Sequence, residues 1–193
     1  MQKIGLYFGT FDPIHNGHLI LANHFAEHTD LDQVWLVVSP QNPFKQKQRM
    51  LANHHRLELV YRATYEYPKL YPSNIEFGLP TPSYTIDTLV HLQEKHPNKS
   101  FVLLMGEDNL ASFHKWKNHT VILEEYQIYV YPRKGHKPIP KDLSSHPKVK
   151  RIKAPEIEVS SSAIREWIKE SKNIRPLLPP ESWQYLDEMN FYK

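Results

Sequence analysis

Four stretches of this chain are apolar without alternation, and each has the length of one strand: IGLYF at 4–8, QVWLVV at 33–38, SFVLLM at 100–105 and QIYVY at 127–131. A strand with one wet face alternates, whereas a run apolar on both sides must be covered on both faces. Between these runs lie stretches with helical spacing. Leu19, Ala22, Phe25 and Ala26 mark one over 17–26, and another covers Tyr84 to Lys95. Strand, helix and strand in alternation imply right-handed crossovers. The expected fold is therefore α/β, a doubly wound, mostly parallel sheet with helices on both faces.

The remaining elements are fainter. Asn53 to Tyr65 reads as a helix and Asn74 to Phe77 as a short strand. Short helices are expected over Asn109 to Phe113 and His119 to Glu125. A sixth strand is expected from Val149 to Lys153, and closing helices over Ser161 to Glu170 and Glu181 to Asn190. Ser39 to Leu51 reads as a long basic surface loop, and 134–148 as a proline-rich excursion. A structureless loop of that length is uncommon without a function. The 193 residues suit one domain, 1–193, in which C-terminal helices (about 160–193) complete the site.

Composition narrows the function classes. There is no cysteine, which removes disulfide frameworks and thiolate–zinc sites and fits a reducing, cytoplasmic location. No apolar run approaches the roughly 20 residues needed to cross a bilayer. A net charge of +3 favours small polyanions such as nucleotides, and is too weak to argue for a nucleic acid polymer or a membrane partner. Association into a homo-oligomer is compatible with the sequence.

Ligands of doubly wound sheets sit beyond the carboxyl ends of the strands, so the loops that follow strands carry the information. They begin at Gly9, Ser39, Gly106, Pro132 and Ala154. The first is GTFDPIHNGH, 9–18, with His15 just before a helix and His18 in its first turn. Helix N-termini attract phosphate, and two imidazole N–H donors there would cradle a phosphoryl group. The plain alternative is one capping and one packed histidine. Zinc ligation lacks a third ligand and the glutamate of an HExxH helix, so no metal ligands are assigned. No serine or cysteine nucleophile stands beside the histidines. That points to transfer by positioning rather than through a covalent intermediate.

Other stations also read two ways. Lys45, with Lys47 and Arg49 nearby, is a solvated basic loop or a cation over phosphates. Ser160-Ser161-Ser162 with Arg165 is an N-cap or an anion site. Gly106 and Asp108 cap a short helix or accept ribose hydroxyls. Trp116 is a hydrophobic plug or a platform for a flat ring. Ser83 in Pro82-Ser83-Tyr84-Thr85 caps a helix, or that helix's free N–H groups receive a carboxylate.

GTFDPIHNGHL, NPFK (42–45), PSYTIDTL (82–89), GEDNL (106–110), Trp116, YPRKG (131–135), VSSSAIR (159–165) and LLPPESWQYLDEMNFY (177–192) occur in order. The first resembles the (H/T)xGH signature of the nucleotidyltransferases. The ordered set is similar to the bacterial nicotinate-nucleotide adenylyltransferases almost end to end. The resemblance implies a Rossmann-like nucleotidyltransferase fold that joins ATP to nicotinate mononucleotide, with Mg²⁺ accompanying ATP. It implies catalytic roles for His15, His18, Lys45 and Arg165. It implies ATP contacts from Gly9, Thr10, Phe11, Gly106, Asp108, Arg133, Ser161 and Ser162. Tyr84, Thr85, Trp116 and Lys117 would meet the nicotinate nucleotide. Phe44 stands where the family usually has histidine, Phe8 where glycine is frequent, and Ser162 where threonine is usual. The rivals are phosphopantetheine or nicotinamide-mononucleotide adenylyl transfer, and a non-catalytic nucleotide-binding module on the same fold.

Overall fold

A computed structural model describes residues 1–40, 50–135 and 137–193. Six strands form one sheet: β1 (Gln2–Gly9), β2 (Gln33–Val38), β3 (Leu70–Ser73), β4 (Lys99–Gly106), β5 (Gln127–Tyr131) and β6 (Val149–Arg151). They run in the order β3-β2-β1-β4-β5-β6, and every pair is parallel. The registers set Gly9 beside Val38, Tyr7 beside Leu104, and Gly106 beside Tyr131. The helices are α1 (Asn16–His28), α2 (Asn53–Thr64), α3 (Thr85–Lys95), α4 (Glu107–Leu110), α5 (His119–Glu125), α6 (Lys141–Ser144), α7 (Ser161–Lys169) and α8 (Pro180–Glu188).

The uninterrupted apolar runs are accounted for by two cores, one on each face. Val102 and Leu104 of β4 join Ala22 and Phe25 of α1, Leu59 of α2, Ile164 of α7 and Leu186 of α8. Phe101, Leu103 and Met105 point the other way, to Leu89 and Leu92 of α3, Phe113 and Ile122. Period-two alternation is therefore present, but both faces are dry. Each fully buried Leu or Phe contributes on the order of 1.5–3 kcal/mol, so either face alone would bind its helices firmly. No helix among the described residues is long and apolar enough to cross a membrane.

The third strand departs from the expectation. It lies at Leu70–Ser73, and Ile75–Gly78 is a 3-10 turn rather than part of a strand. Pro72 speaks against a strand in the sequence, but β3 is an edge strand, where a missing N–H costs no ladder bond. Pro72 sits beside Leu36 of β2. Other boundaries move: β6 stops at Arg151, α7 at Lys169, and α8 covers Pro180–Glu188. α4 begins at Glu107 rather than Asn109, and a separate 3-10 turn covers Phe113–Lys115. The proline-rich excursion contains the single-turn helix α6. Most of the expected 39–51 loop, and with it Lys45, lies outside the described residues.

Candidate active site

The centre of the sheet sets the site. β1 ends at Gly9 between β2 and β4, and the chain turns through residues 10–15 into α1. Phe11 takes a left-handed φ of 47° and is 1% exposed. Its ring folds back over Gly9, where a Cβ would stand 2.8 Å from Phe11 Cζ, so no larger residue fits position 9 without displacing the ring. α7 holds the turn from the side. Ser161 Oγ donates to the Pro13 carbonyl at 2.9 Å, and Arg165 Nη1 donates to the Asp12 carbonyl at 2.6 Å.

His15 is the residue before α1, and its imidazole stacks on that of His18. The His15 amide donates to His18 Nδ1 at 3.3 Å. With Nδ1 accepting, a neutral His18 carries its proton on Nε2. Phe11 and Tyr7 stand edge-on to the His18 ring, with centroids 5.1 and 6.1 Å away. Gly17 explains the glycine of the motif: a Cβ there would sit 3.0 Å from His15 Cε1 and Nδ1. The stacked pair needs that space.

His15 is 4% exposed, and its Nδ1 finds no partner among the described residues. Desolvation, and secondarily the Arg133 guanidinium, lower its pKa to about 4. It is therefore neutral at pH 7. A buried polar nitrogen without a partner is costly unless a ligand supplies one.

The serines of α7 divide the work. Ser160 is the N-cap and accepts from the Ala163 amide at 3.2 Å. Ser161 holds Pro13, and Ser162 Oγ accepts from Arg165 Nη2 at 3.3 Å. On the opposite wall, Arg133 Nε stands 4.0 Å from Asp108 Oδ1. A Cβ on Gly106 would collide with that Asp108 oxygen and with Arg133 Cγ, so Gly106 allows the two to approach each other.

Gly9, Thr10, Phe11, His15, His18, Asp108, Arg133, Ser161, Ser162 and Arg165 thus line one cavity of about 530 Å³. Tyr84, Thr85, Trp116 and Lys117 are not among its walls. They form a separate group around the start of α3. Lys117 Nζ lies 4.8 Å over the Tyr84 ring and bonds both oxygens of Asp87 at 3.0 and 2.9 Å. Thr85 is the first residue of α3, and Trp116 packs against Phe113 with ring centroids 5.4 Å apart.

Sequence reasoning missed three residues, Asp12 in the cavity wall and Arg56 and Tyr192 bonded around it. Arg56 of α2 is completely buried. Its Nη1 donates to the carbonyls of Thr10 at 2.5 Å and Ser39 at 2.8 Å, its Nε to Leu51 at 3.0 Å, and its Nη2 to Asn53 Oδ1 at 2.6 Å. Asp12 is 2% exposed and accepts from the Tyr192 hydroxyl at 2.6 Å. One signal was available. Arg56 occupies the same helical stripe as Leu59, Val60 and Ala63, a position where a charge must have partners.

Among the described residues, no group of three or more His, Asp or Glu side chains is arranged to hold a metal ion. The carboxylates nearest the histidines are engaged: Asp12 by Tyr192 and Leu51, Asp108 by Arg133. These residues do not fit a protein-held ion.

The chain matches the cytidylyltransferase-like family model over residues 6–167. It is 60% identical over 192 residues to a probable nicotinate-nucleotide adenylyltransferase of Christiangramia forsetii, covering 100% of this chain and 99% of the relative. Its identity to the probable nicotinate-nucleotide adenylyltransferase of Flavobacterium johnsoniae is also 60%, with 100% of both chains covered. The fold is similar to that of the Plasmodium falciparum nicotinic acid mononucleotide adenylyltransferase complexed with NaAD. The TM-score is 0.80 and the identity 22%, over 100% of this chain and 98% of that one.

Proposed function

This chain belongs to the cytidylyltransferase-like family and, within it, to the nicotinate-nucleotide adenylyltransferases, and from that premise we infer how its cavity works. The enzyme transfers the adenylyl group of ATP to nicotinate mononucleotide, giving the deamido dinucleotide of NAD biosynthesis and pyrophosphate.

In the proposed mechanism, a 5′-phosphate oxygen of nicotinate mononucleotide attacks the α-phosphorus of ATP in line, and the bond to the β-phosphate oxygen breaks. A phosphate monoester has a second pKa of about 6, so the nucleophile is already ionised at pH 7 and needs no general base. That requirement matches His15, whose pKa of about 4 makes it a poor base and leaves it a neutral donor. His15 and His18 hold the reacting phosphoryl oxygens by N–H donation. Arg165 and Ser162 orient the departing pyrophosphate from α7, and Ser161 keeps the first turn against that helix. Lys45 is assigned to the phosphate tail by family resemblance. Magnesium would enter as an ion carried by the triphosphate and would offset its charge.

The adenosine is assigned to Gly9, Thr10, Phe11, Gly106, Asp108 and Arg133. The pyridine ring is assigned to Trp116, with Tyr84, Thr85 and Lys117 around it. The reading treats 1–193 as one nucleotidyltransferase domain whose C-terminal helices complete the site, in a cytoplasmic enzyme. The observation that carries it is the stacked imidazole pair at the head of α1, in one cavity with Arg165.

A product assay tests it. Purified protein receives ATP and Mg²⁺ with nicotinate mononucleotide, nicotinamide mononucleotide or phosphopantetheine, and pyrophosphate release is followed. Nicotinate mononucleotide is expected to give the highest kcat/KM. Preference for either rival substrate would overturn the substrate, and tight ATP binding without pyrophosphate release would overturn catalysis.

A further inference from the structure

By charge alone, Asp12 is out of place, because it is a carboxylate in the wall of a cavity assigned to a triphosphate. Its Oδ1 accepts from the Tyr192 hydroxyl at 2.6 Å and the Leu51 amide at 3.1 Å. Its Oδ2 lies 3.7 Å from Arg165 Nη1, and its backbone carbonyl accepts a bond from the same nitrogen. Burial, and then the Asp12 carboxylate itself, push the Tyr192 phenol well up, so that it stays protonated and keeps donating. Behind Asp12, Arg56 joins the carbonyls of Thr10, Ser39 and Leu51. The Leu51 amide, the Tyr192 hydroxyl and the Arg165 guanidinium therefore meet at one carboxylate.

We propose that Asp12 is a positioning residue: held by Tyr192 and Leu51, it fixes the Arg165 guanidinium toward the departing pyrophosphate and couples the last turn of the chain to the reaction. The inference rests on the role given to Arg165 above. A guanidinium is a planar fork, and bonds to one edge orient the other. Here Nη1 bonds the Asp12 carbonyl and pairs with its carboxylate at 3.7 Å, and Nη2 bonds Ser162. A charge without a positioning role makes the opposite prediction. Removing a negative group beside a polyanion site raises the local positive potential and should tighten ATP binding.

The test is steady-state kinetics on the full chain with ATP and nicotinate mononucleotide. The variants are Asp12→Asn, Tyr192→Phe, Arg165→Lys and the two pairings with Arg165→Lys. Asparagine keeps an acceptor for Tyr192 and drops the charge. Phenylalanine keeps the charge and leaves Oδ1 held by the Leu51 amide without the hydroxyl. Misplacing a reacting group by an ångström can cost about 10²-fold, so Asp12→Asn is expected to lower kcat on the order of 10- to 100-fold. Tyr192→Phe should lower it less, and KM for nicotinate mononucleotide should not move. Beside Arg165→Lys, where the fork is gone, both losses should shrink to within about twofold. A merely structural role would lower activity equally in both backgrounds. If Asp12→Asn does not fold, Tyr192→Phe carries the same cycle. Unchanged kcat with tighter ATP binding in Asp12→Asn, or losses undiminished beside Arg165→Lys, would overturn the proposal. The underlying reading fails separately: full turnover by Arg165→Ala would remove the arginine's role and this inference with it.

Discussion

His15 and His18 lie face to face at the head of α1, with ring centroids 3.7 Å apart and planes inclined by 23°. The His15 amide donates to His18 Nδ1, so a neutral His18 carries its N–H on Nε2, across the ring from that bond. Losing one preorganised donor to a developing charge typically costs about 10²–10³ in rate. His18→Ala is expected to lower kcat by that factor while circular dichroism and Tm change little, since His18 is only half-buried. Near-normal turnover would remove it from the chemistry.

Gly17→Ala separates catalysis from stability. Alanine is the better helix former by up to about 1 kcal/mol, and α1 includes Gly17. The added Cβ would meet the His15 ring at 3.0 Å and Ile157 Cγ2 at 3.3 Å. The expected outcome is an unchanged or slightly raised Tm with kcat reduced roughly tenfold or more, because a displaced donor loses its aim. Equal loss of Tm and kcat would contradict this account.

His15 also makes a pH prediction. Its pKa falls from 6.5 in the unfolded chain to about 4 in the fold. Between those values the unfolded chain binds more protons, so stability from this group drops as pH falls from about 6.5 to about 4 and is level outside that window. The whole effect is on the order of 3 kcal/mol. Urea melts of the wild type and His15→Asn at a series of pH values should converge as pH approaches 4. The same shift predicts no limb from His15 in the kcat profile between pH 6 and 8.

Trp116→Ala tests the second group. An indole face against a cationic pyridinium contributes about 0.5–2 kcal/mol, or roughly 2- to 30-fold in affinity. KM for nicotinate mononucleotide is expected to rise by that factor, with KM for ATP unchanged. A rise confined to ATP would place Trp116 on the wrong substrate.

What the sequence made legible was local. The uninterrupted apolar runs located β1, β2, β4 and β5 because burial on both faces leaves that mark in the residues themselves. The histidines at the head of α1 were visible because a strand end and a helix start are both written nearby. β3 was misplaced because Pro72 hides an edge strand and the better pattern at 75–77 closes into a 3-10 turn. Asp12, Arg56 and Tyr192 were missed for a different reason. Asp12 reads as a turn former beside proline. Its partner Tyr192 is 180 residues away, and no spacing rule spans that gap.

The strand order has a consequence for how the molecule opens. Among the described residues β1 is paired along both edges, whereas β3 and β6 are each paired along one. Local opening starts where protection is least, so backbone amides of β3 and β6 should exchange with solvent deuterium early and those of Leu6 and Tyr7 last. The turn that carries the two imidazoles grows from this slowest-exchanging segment. A molecule frayed at either margin keeps its most exacting geometry to the end.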